Sequence, residues 1–141
     1  MKPKPDFTIY TDGGSRGNPG EAAYGFVIYD ESNKILIEEG KRLGIQTNNF
    51  AEYSGIKEAF KWLEQNSKVE KPNIQVFMDS QLAVEQLSGR WKIKNETLRN
   101  LYFTIKQIEV RLGGNVNYSH VFRDKNQEAD RMVNLALDGD V

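Results

Sequence analysis

The chain contains no cysteine, which excludes a disulfide framework, a thiolate zinc site and a cysteine nucleophile together. The routes to hydrolysis that remain are carboxylates, metals, hydroxyls and the single histidine, His120. No run of the sequence approaches the roughly 20 apolar residues of a membrane span. The N-terminal MKPKPDF has no apolar signal core, so a soluble cytoplasmic protein with no membrane partner is expected. A dominant charge is also lacking. The 19 Lys and Arg against 20 Asp and Glu leave a formal net charge of −1, without the basic footprint of a protein that holds nucleic acid mainly by charge.

At 141 residues and 38% hydrophobic, the chain fits one domain over residues 1–141, burying roughly 70% of the surface an unfolded chain exposes. Residues 1–6 are expected to be a flexible tail. No repeat, linker or low-complexity tract interrupts the rest. FTIYTD (7–12), YGFVIYD (24–30) and KILIEEG (34–40) are rich in β-branched and aromatic residues, with short connections between them, and predict an antiparallel meander. Residues 48–65 switch to helical spacing, with Ile56, Ala59, Phe60 and Leu63 as the apolar stripe and Thr47, Asn48 or Asn49 as N-cap. IQVFMD (74–79) predicts a strand buried on both faces and parallel to the first. Helices over 80–88 and 96–112, a strand over 116–122 and a final helix over 126–137 complete the order βββαβααβα. The fold class is α/β, a five-stranded mixed sheet flanked by helices.

Four acids stand out against this outline. Asp12 and Asp79 end their strands, at the edge where open α/β sheets bind ligands. Glu52 precedes Ile56, Ala59, Phe60 and Leu63 by helical spacings, and Asp130 precedes Val133 and Leu137 by three and seven, so both are expected to face inward. Four carboxylates gathered at one edge repel each other and raise each other's pKa values. A divalent cation relieves that conflict. Hard oxygen donors without cysteine or histidine suit Mg²⁺ or Mn²⁺ rather than zinc, and paired ions of this kind suit phosphoryl transfer. The alternative is that helix-start acids merely cap helices or complement their dipoles.

DGGSRGNPG (12–20) is expected to be a tight exposed loop that brings backbone close to a ligand. It lacks the Lys-Ser/Thr ending of a P-loop. Taken in order, TDGGSRGNPG (11–20), TNNFAEY (47–53), MDSQLAV (78–84) and RDKNQEAD (123–130) resemble the four motifs of type 1 ribonuclease H, in its compact bacterial or archaeal branch. The resemblance spans nearly the whole chain and implies the ribonuclease H-like fold and cleavage of the RNA strand of RNA–DNA hybrids. It makes Asp12, Glu52, Asp79 and Asp130 the metal-binding catalytic acids, with two Mg²⁺ ions when substrate is bound and Mn²⁺ as a substitute. It also implies that Asn18, Asn48, Asn49 and Gln81 contact minor-groove edges and ribose 2′-hydroxyls, that Thr47 holds a phosphate, and that Ser15 contacts substrate.

The chain departs from the family pattern in two places. Where many members carry a histidine before the last helix, His120 lies inside an apparent strand and Arg123 occupies the loop. Arg123 is therefore expected to be the auxiliary catalytic residue, with His120 half-buried in the strand and the alternative for that role. The basic handle of some members is reduced to Gly89–Lys94. Residues 90–111 hold six basic side chains against two acidic ones. Trp91 with Arg90, Lys92 and Lys94 can hold the DNA backbone by stacking and charge, or Trp91 can anchor this connection to the core. A monomer with no obligate protein partner is expected. A non-catalytic nucleic-acid-binding domain, or a nuclease of the same fold acting on another nucleic acid, are the competing functions.

Overall fold

Alternation of apolar residues builds the sheet from its centre. The structure is a computed structural model and describes residues 4–140. In strand β1 (Phe7–Arg16), Phe7, Ile9 and Thr11 are buried on one face while Thr8 and Tyr10 are half-buried on the other, the period of two expected of a strand. β1 pairs antiparallel with β2 (Gly20–Tyr29), which pairs antiparallel with β3 (Ile35–Gln46). On its other side β1 pairs parallel with β4 (Ile74–Met78), and β4 parallel with β5 (Val116–His120). The order across the sheet is β3-β2-β1-β4-β5.

Helix α1 (Asn48–Asn66) carries the chain from β3 to β4, and α2 (Gln81–Leu87) and α3 (Glu96–Arg111) carry it from β4 to β5. These three close over one face on a core that includes Ile9, Ile28, Phe60, Leu63, Val76 and Ile105. Each such side chain contributes about 1.5–3 kcal/mol by leaving water. After a single 3-10 turn (Arg123–Lys125), α4 (Gln127–Leu137) covers the opposite face, where Val133 and Ala136 meet Ala23. The expected element order and the mixed five-stranded sheet are both present. Among the described residues no helix is long and apolar enough to cross a membrane.

Several expected boundaries move. The glycine-rich segment is not a loop as far as residue 16: Gly13 to Arg16 continue β1 opposite Tyr24, Ala23, Ala22 and Glu21. Only Gly17–Pro19 remain as the hairpin connection. β3 runs to Gln46 rather than residue 40, because as an edge strand it is largely exposed and has no apolar pattern to mark its end. β4 is buried on one face only, with Gln75 and Phe77 half-buried, since α4 packs over β1, β2 and β3. β5 stops at His120, two residues short of the expected end. Within the expected N-terminal tail, residues 1–3 lie outside the described residues. Asp6 is not free: its N–H donates to Asn73 O at 2.9 Å and its carboxylate accepts from Asn73 N at 2.8 Å.

Candidate active site

Register places the first two acids. Thr11 is the parallel partner of Met78, so Asp12 and Asp79 follow as the next residues of adjacent strands. His120 pairs with Met78 from the other side, at the same edge.

Two glycines admit the helices that carry the other two acids. A Cβ on Gly13 would lie 2.4 Å from Ala51 C and from Glu52 N, so α1 presses its first turns directly onto the strand beside Asp12. Gly25 is the cross-strand partner of Asp12. A Cβ there would lie 2.5 Å from Ala129 O and 2.8 Å from Val133 N, which brings α4 down at the residue before Asp130. Thr47 fixes where α1 begins, accepting from Phe50 N at 3.2 Å as N-cap. Ser80 does the same for α2, accepting from Ala83 N at 3.2 Å.

Asp12 is 8% exposed and Glu52 9%, so the inward placement of Glu52 holds. Asp130 is half-buried, on the margin of the α4 stripe formed by Ala129, Met132, Val133 and Ala136, rather than within it as its spacing suggested. Asp79 is half-buried as well. The site is therefore a ledge with two buried and two half-buried carboxylates.

Burial, then the charge of Asp79, and then those of Asp130 and Glu52 push the Asp12 carboxyl up to about 8, against the opposing pull of its 2.8 Å hydrogen bond from Gly13 N. Burial is also the main reason Glu52 is pushed up to about 7; the Ser80 side chain opposes it and the charge of Asp79 adds to it. Asp12 thus feels the charge of all three other acids and Glu52 that of Asp79, which brings the four to one edge electrostatically.

Among the described residues, the only buried side-chain polar atoms without a hydrogen-bond partner are Glu52 Oε2 and Asn126 Oδ1. Both belong to this ledge. A buried carboxylate oxygen with no donor is chemically suited to ligate a cation. The four acids do not form a closed cage, however: among the described residues no three His, Cys, Asp or Glu side chains converge tightly enough to hold an ion. The sequence-based picture of acids packed within a few ångströms is corrected accordingly. The donor set still fits Mg²⁺, which keeps several waters and is commonly completed by substrate phosphate.

Asn126 escaped the sequence reading. It occupies the N-cap position of α4, where an asparagine normally caps, yet its side chain makes no cap bond. Nδ2 donates instead to Thr11 O at 2.9 Å and to Asp79 Oδ2 at 3.4 Å, tying β1, β4 and α4 together. Nothing in a single sequence separates this use of an asparagine from ordinary capping.

The residues expected to contact substrate divide into two groups. Asn48 Oδ1 accepts from both Ser15 N and Ser15 Oγ at 2.8 Å, and Asn18 Oδ1 accepts from Asn48 N at 3.1 Å. Because the carbonyl end of each amide is thus engaged, the NH₂ ends are left as donors. Thr47 and Asn49 share this helix start, and Gln81 is exposed at the first turn of α2. Trp91 and Lys92 form a second, separate surface beyond α2. Trp91 is 48% exposed, so it does not anchor the connection; the partly buried Ile93 packs on the core there. Arg123 is exposed at the head of the 3-10 turn. His120 ends its strand exposed rather than half-buried, edge-on to Phe122 with ring centroids 5.6 Å apart.

A family model described as reverse transcriptase-like matches residues 10–136. The chain is 41% identical over 131 residues to a bifunctional protein of Mycobacterium tuberculosis, a match covering 92% of this chain and 35% of that protein. It is 38% identical to ribonuclease HI of Halobacterium salinarum, covering 92% of this chain and 63% of that one. The chain therefore spans between about a third and two thirds of the length of these curated relatives. Among solved structures it is similar to LC11-RNase H1, isolated from compost, with TM-score 0.89, 40% identity and 95% and 96% of the two chains covered. That protein has also been solved in complex with an RNA/DNA hybrid.

Proposed function

Because the chain belongs to the type 1 ribonuclease H family, we propose that it is an endoribonuclease that hydrolyses the RNA strand of RNA–DNA hybrids, with Asp12, Glu52, Asp79 and Asp130 as its catalytic acids. The observation that carries the proposal is the gathering of these four side chains at one sheet edge, with Glu52 Oε2 buried and unpartnered among them.

Two Mg²⁺ ions, replaceable by Mn²⁺, would be held by the four acids and would supply Lewis-acid activation of the attacking water and of the departing 3′-oxygen. Asp12 would be the central ligand, since Gly13 N fixes one of its oxygens and all three other acids act on its charge. Asn126 holds one oxygen of Asp79, which limits how that carboxylate can turn. Half-exposed Asp130 and Asp79 face incoming substrate. Arg123, exposed next to this edge, serves as the auxiliary group by meeting negative charge that develops on the phosphate. In-line displacement leaves 5′-phosphate and 3′-hydroxyl ends.

Recognition of the RNA strand follows from the amide donors. With their carbonyl ends occupied by Ser15 N and Asn48 N, Asn48 and Asn18 offer NH₂ groups to minor-groove acceptors and 2′-hydroxyl oxygens, the groups that distinguish RNA from DNA. Asn49 and Gln81 extend that row, Ser15 orients Asn48, and Thr47 holds a phosphate. Trp91 and Lys92 take the DNA strand. We expect a monomer whose grip on the hybrid is salt-sensitive. A panel of labelled hybrid, double-stranded RNA and double-stranded DNA, each with Mg²⁺, tests the assignment: cleavage confined to the RNA of the hybrid supports it, and preference for another duplex refutes it.

A further inference from the structure

One buried amide joins the helix that carries Glu52 to the helix that follows Asp79. Gln86 lies on the covered face of α2 with Ala83 and Leu87 and is 8% exposed. Its Oε1 accepts a hydrogen bond from the hydroxyl of the fully buried Tyr53 on α1, and its Nε2 donates to Lys92 O at 3.2 Å. The second bond orients the amide, so that the carbonyl end is the one presented to Tyr53. Lys92 O is itself held in place, because the backbone N–H groups of Arg90 and Trp91 just before it both donate to Glu85 O, at 2.9 and 3.2 Å.

Packing alone does not call for such a pair. A phenylalanine and a leucine would fill much the same space without taking a hydroxyl and an amide out of water. What the polar pair adds is direction, since an apolar contact tolerates sliding and a hydrogen bond fixes distance and angle. Each partner is tied to one of the acids. Tyr53 directly follows Glu52, so α1 cannot roll about its axis without moving both side chains. α2 is capped by Ser80, the residue after Asp79, and Gln86 lies about 10 Å farther along that helix. The bond therefore acts as an outrigger, setting the roll of α1 against α2 at a point away from the carboxylates.

We infer that Tyr53 and Gln86 are positioning residues, whose hydrogen bond sets the placement of Glu52 relative to Asp79 for metal binding. The inference rests on the metal-site reading of the ledge and adds to it two residues that act through their helices. Tyr53→Phe removes the hydroxyl and keeps the ring. Tyr53→Phe combined with Gln86→Leu removes the polar pair altogether and leaves neither side chain unpaired. Two readouts are taken: the rise in melting temperature that Mg²⁺ produces at pH 8.5 without substrate, and the kcat, KM and half-saturating Mg²⁺ of hybrid cleavage. Tyr53→Phe should shrink the Mg²⁺-dependent rise and increase the half-saturating Mg²⁺ by about three- to tenfold, with KM for the hybrid within about twofold of the wild type. The double variant should recover the melting temperature of the metal-free wild type and keep the weakened response to Mg²⁺. An unchanged Mg²⁺ requirement in Tyr53→Phe overturns the inference. So does a double variant that regains the Mg²⁺ response together with its stability, since the bond would then serve the fold alone. A wild-type chain that neither responds to Mg²⁺ nor cleaves the hybrid is a separate result, and counts against the proposed function itself.

Discussion

Asp12 and Glu52 hold their protons above the ordinary carboxylate range, up to about 8 and about 7, because they are buried beside other acids. An unfolded chain releases the same protons near pH 4. The metal-free fold therefore gains stability from these groups at low pH and loses it as pH rises from about 4 through 8. Thermal unfolding in a chelator should show a falling melting temperature between pH 5.5 and 8.5. Asp12→Asn should flatten that slope and raise the value at pH 8.5 by roughly 3–6 °C, equivalent to about 1–1.5 kcal/mol. Adding Mg²⁺ at pH 8.5 should stabilise the wild type and have little effect on the variant. Parallel pH profiles for the two proteins would contradict the burial argument. Arg123 and His120, both exposed, are the two candidates for the auxiliary role. Arg123→Ala should lower kcat by about ten- to hundredfold with an unchanged circular dichroism spectrum, while His120→Ala keeps most activity; the reverse ranking would give the role to His120.

Elements meet at this site because two strand positions carry no side chain. Gly25→Ala would drive a Cβ to 2.5 Å from Ala129 O, and α4 must move to accept it. A loss of about 1–3 kcal/mol in stability and a larger drop in kcat than in hybrid affinity are expected, since Asp130 rides on α4. An unchanged kcat would show that α4 placement is not critical. Much of this was legible beforehand: strand alternation, helical stripes and the strand-end position of Asp79 are local patterns, and they yielded the element order; Asp12, expected to end its strand, instead lies inside β1, which runs on to Arg16 opposite β2. What was hidden depends on contacts between distant segments. The inward spacing of Asp130 did not reveal that the stripe passes beside it. The run of glycines looked like a loop because a single sequence does not show that Gly13 and Gly14 have a pairing strand. Asn126 looked like a cap, and the Tyr53–Gln86–Lys92 link crosses three elements with no sequence spacing to announce it.

Across the molecule, a net charge of −1 means that, on the proposed function, any grip on a polyanion would come from local cations and oriented amide donors rather than from a global field. Hybrid affinity should fall as salt rises, and Lys92→Ala should reduce the slope of log Kd against log salt by about one phosphate contact; an unchanged slope would remove Lys92 from the interface. On the proposed function the same surface would also deliver the RNA strand to the acids, two of them buried and two half-buried, and metal-dependent cleavage is where these requirements would meet. Hydrolysis of an RNA-labelled RNA–DNA hybrid, with Mg²⁺ and with chelator, by the wild type and by Asp79→Asn, joins them in one experiment. Cleavage of the RNA strand by the wild type only when Mg²⁺ is present, and none by the variant, is the expected result. Cleavage in chelator, or cleavage that survives Asp79→Asn, would contradict a carboxylate-held metal site at this sheet edge.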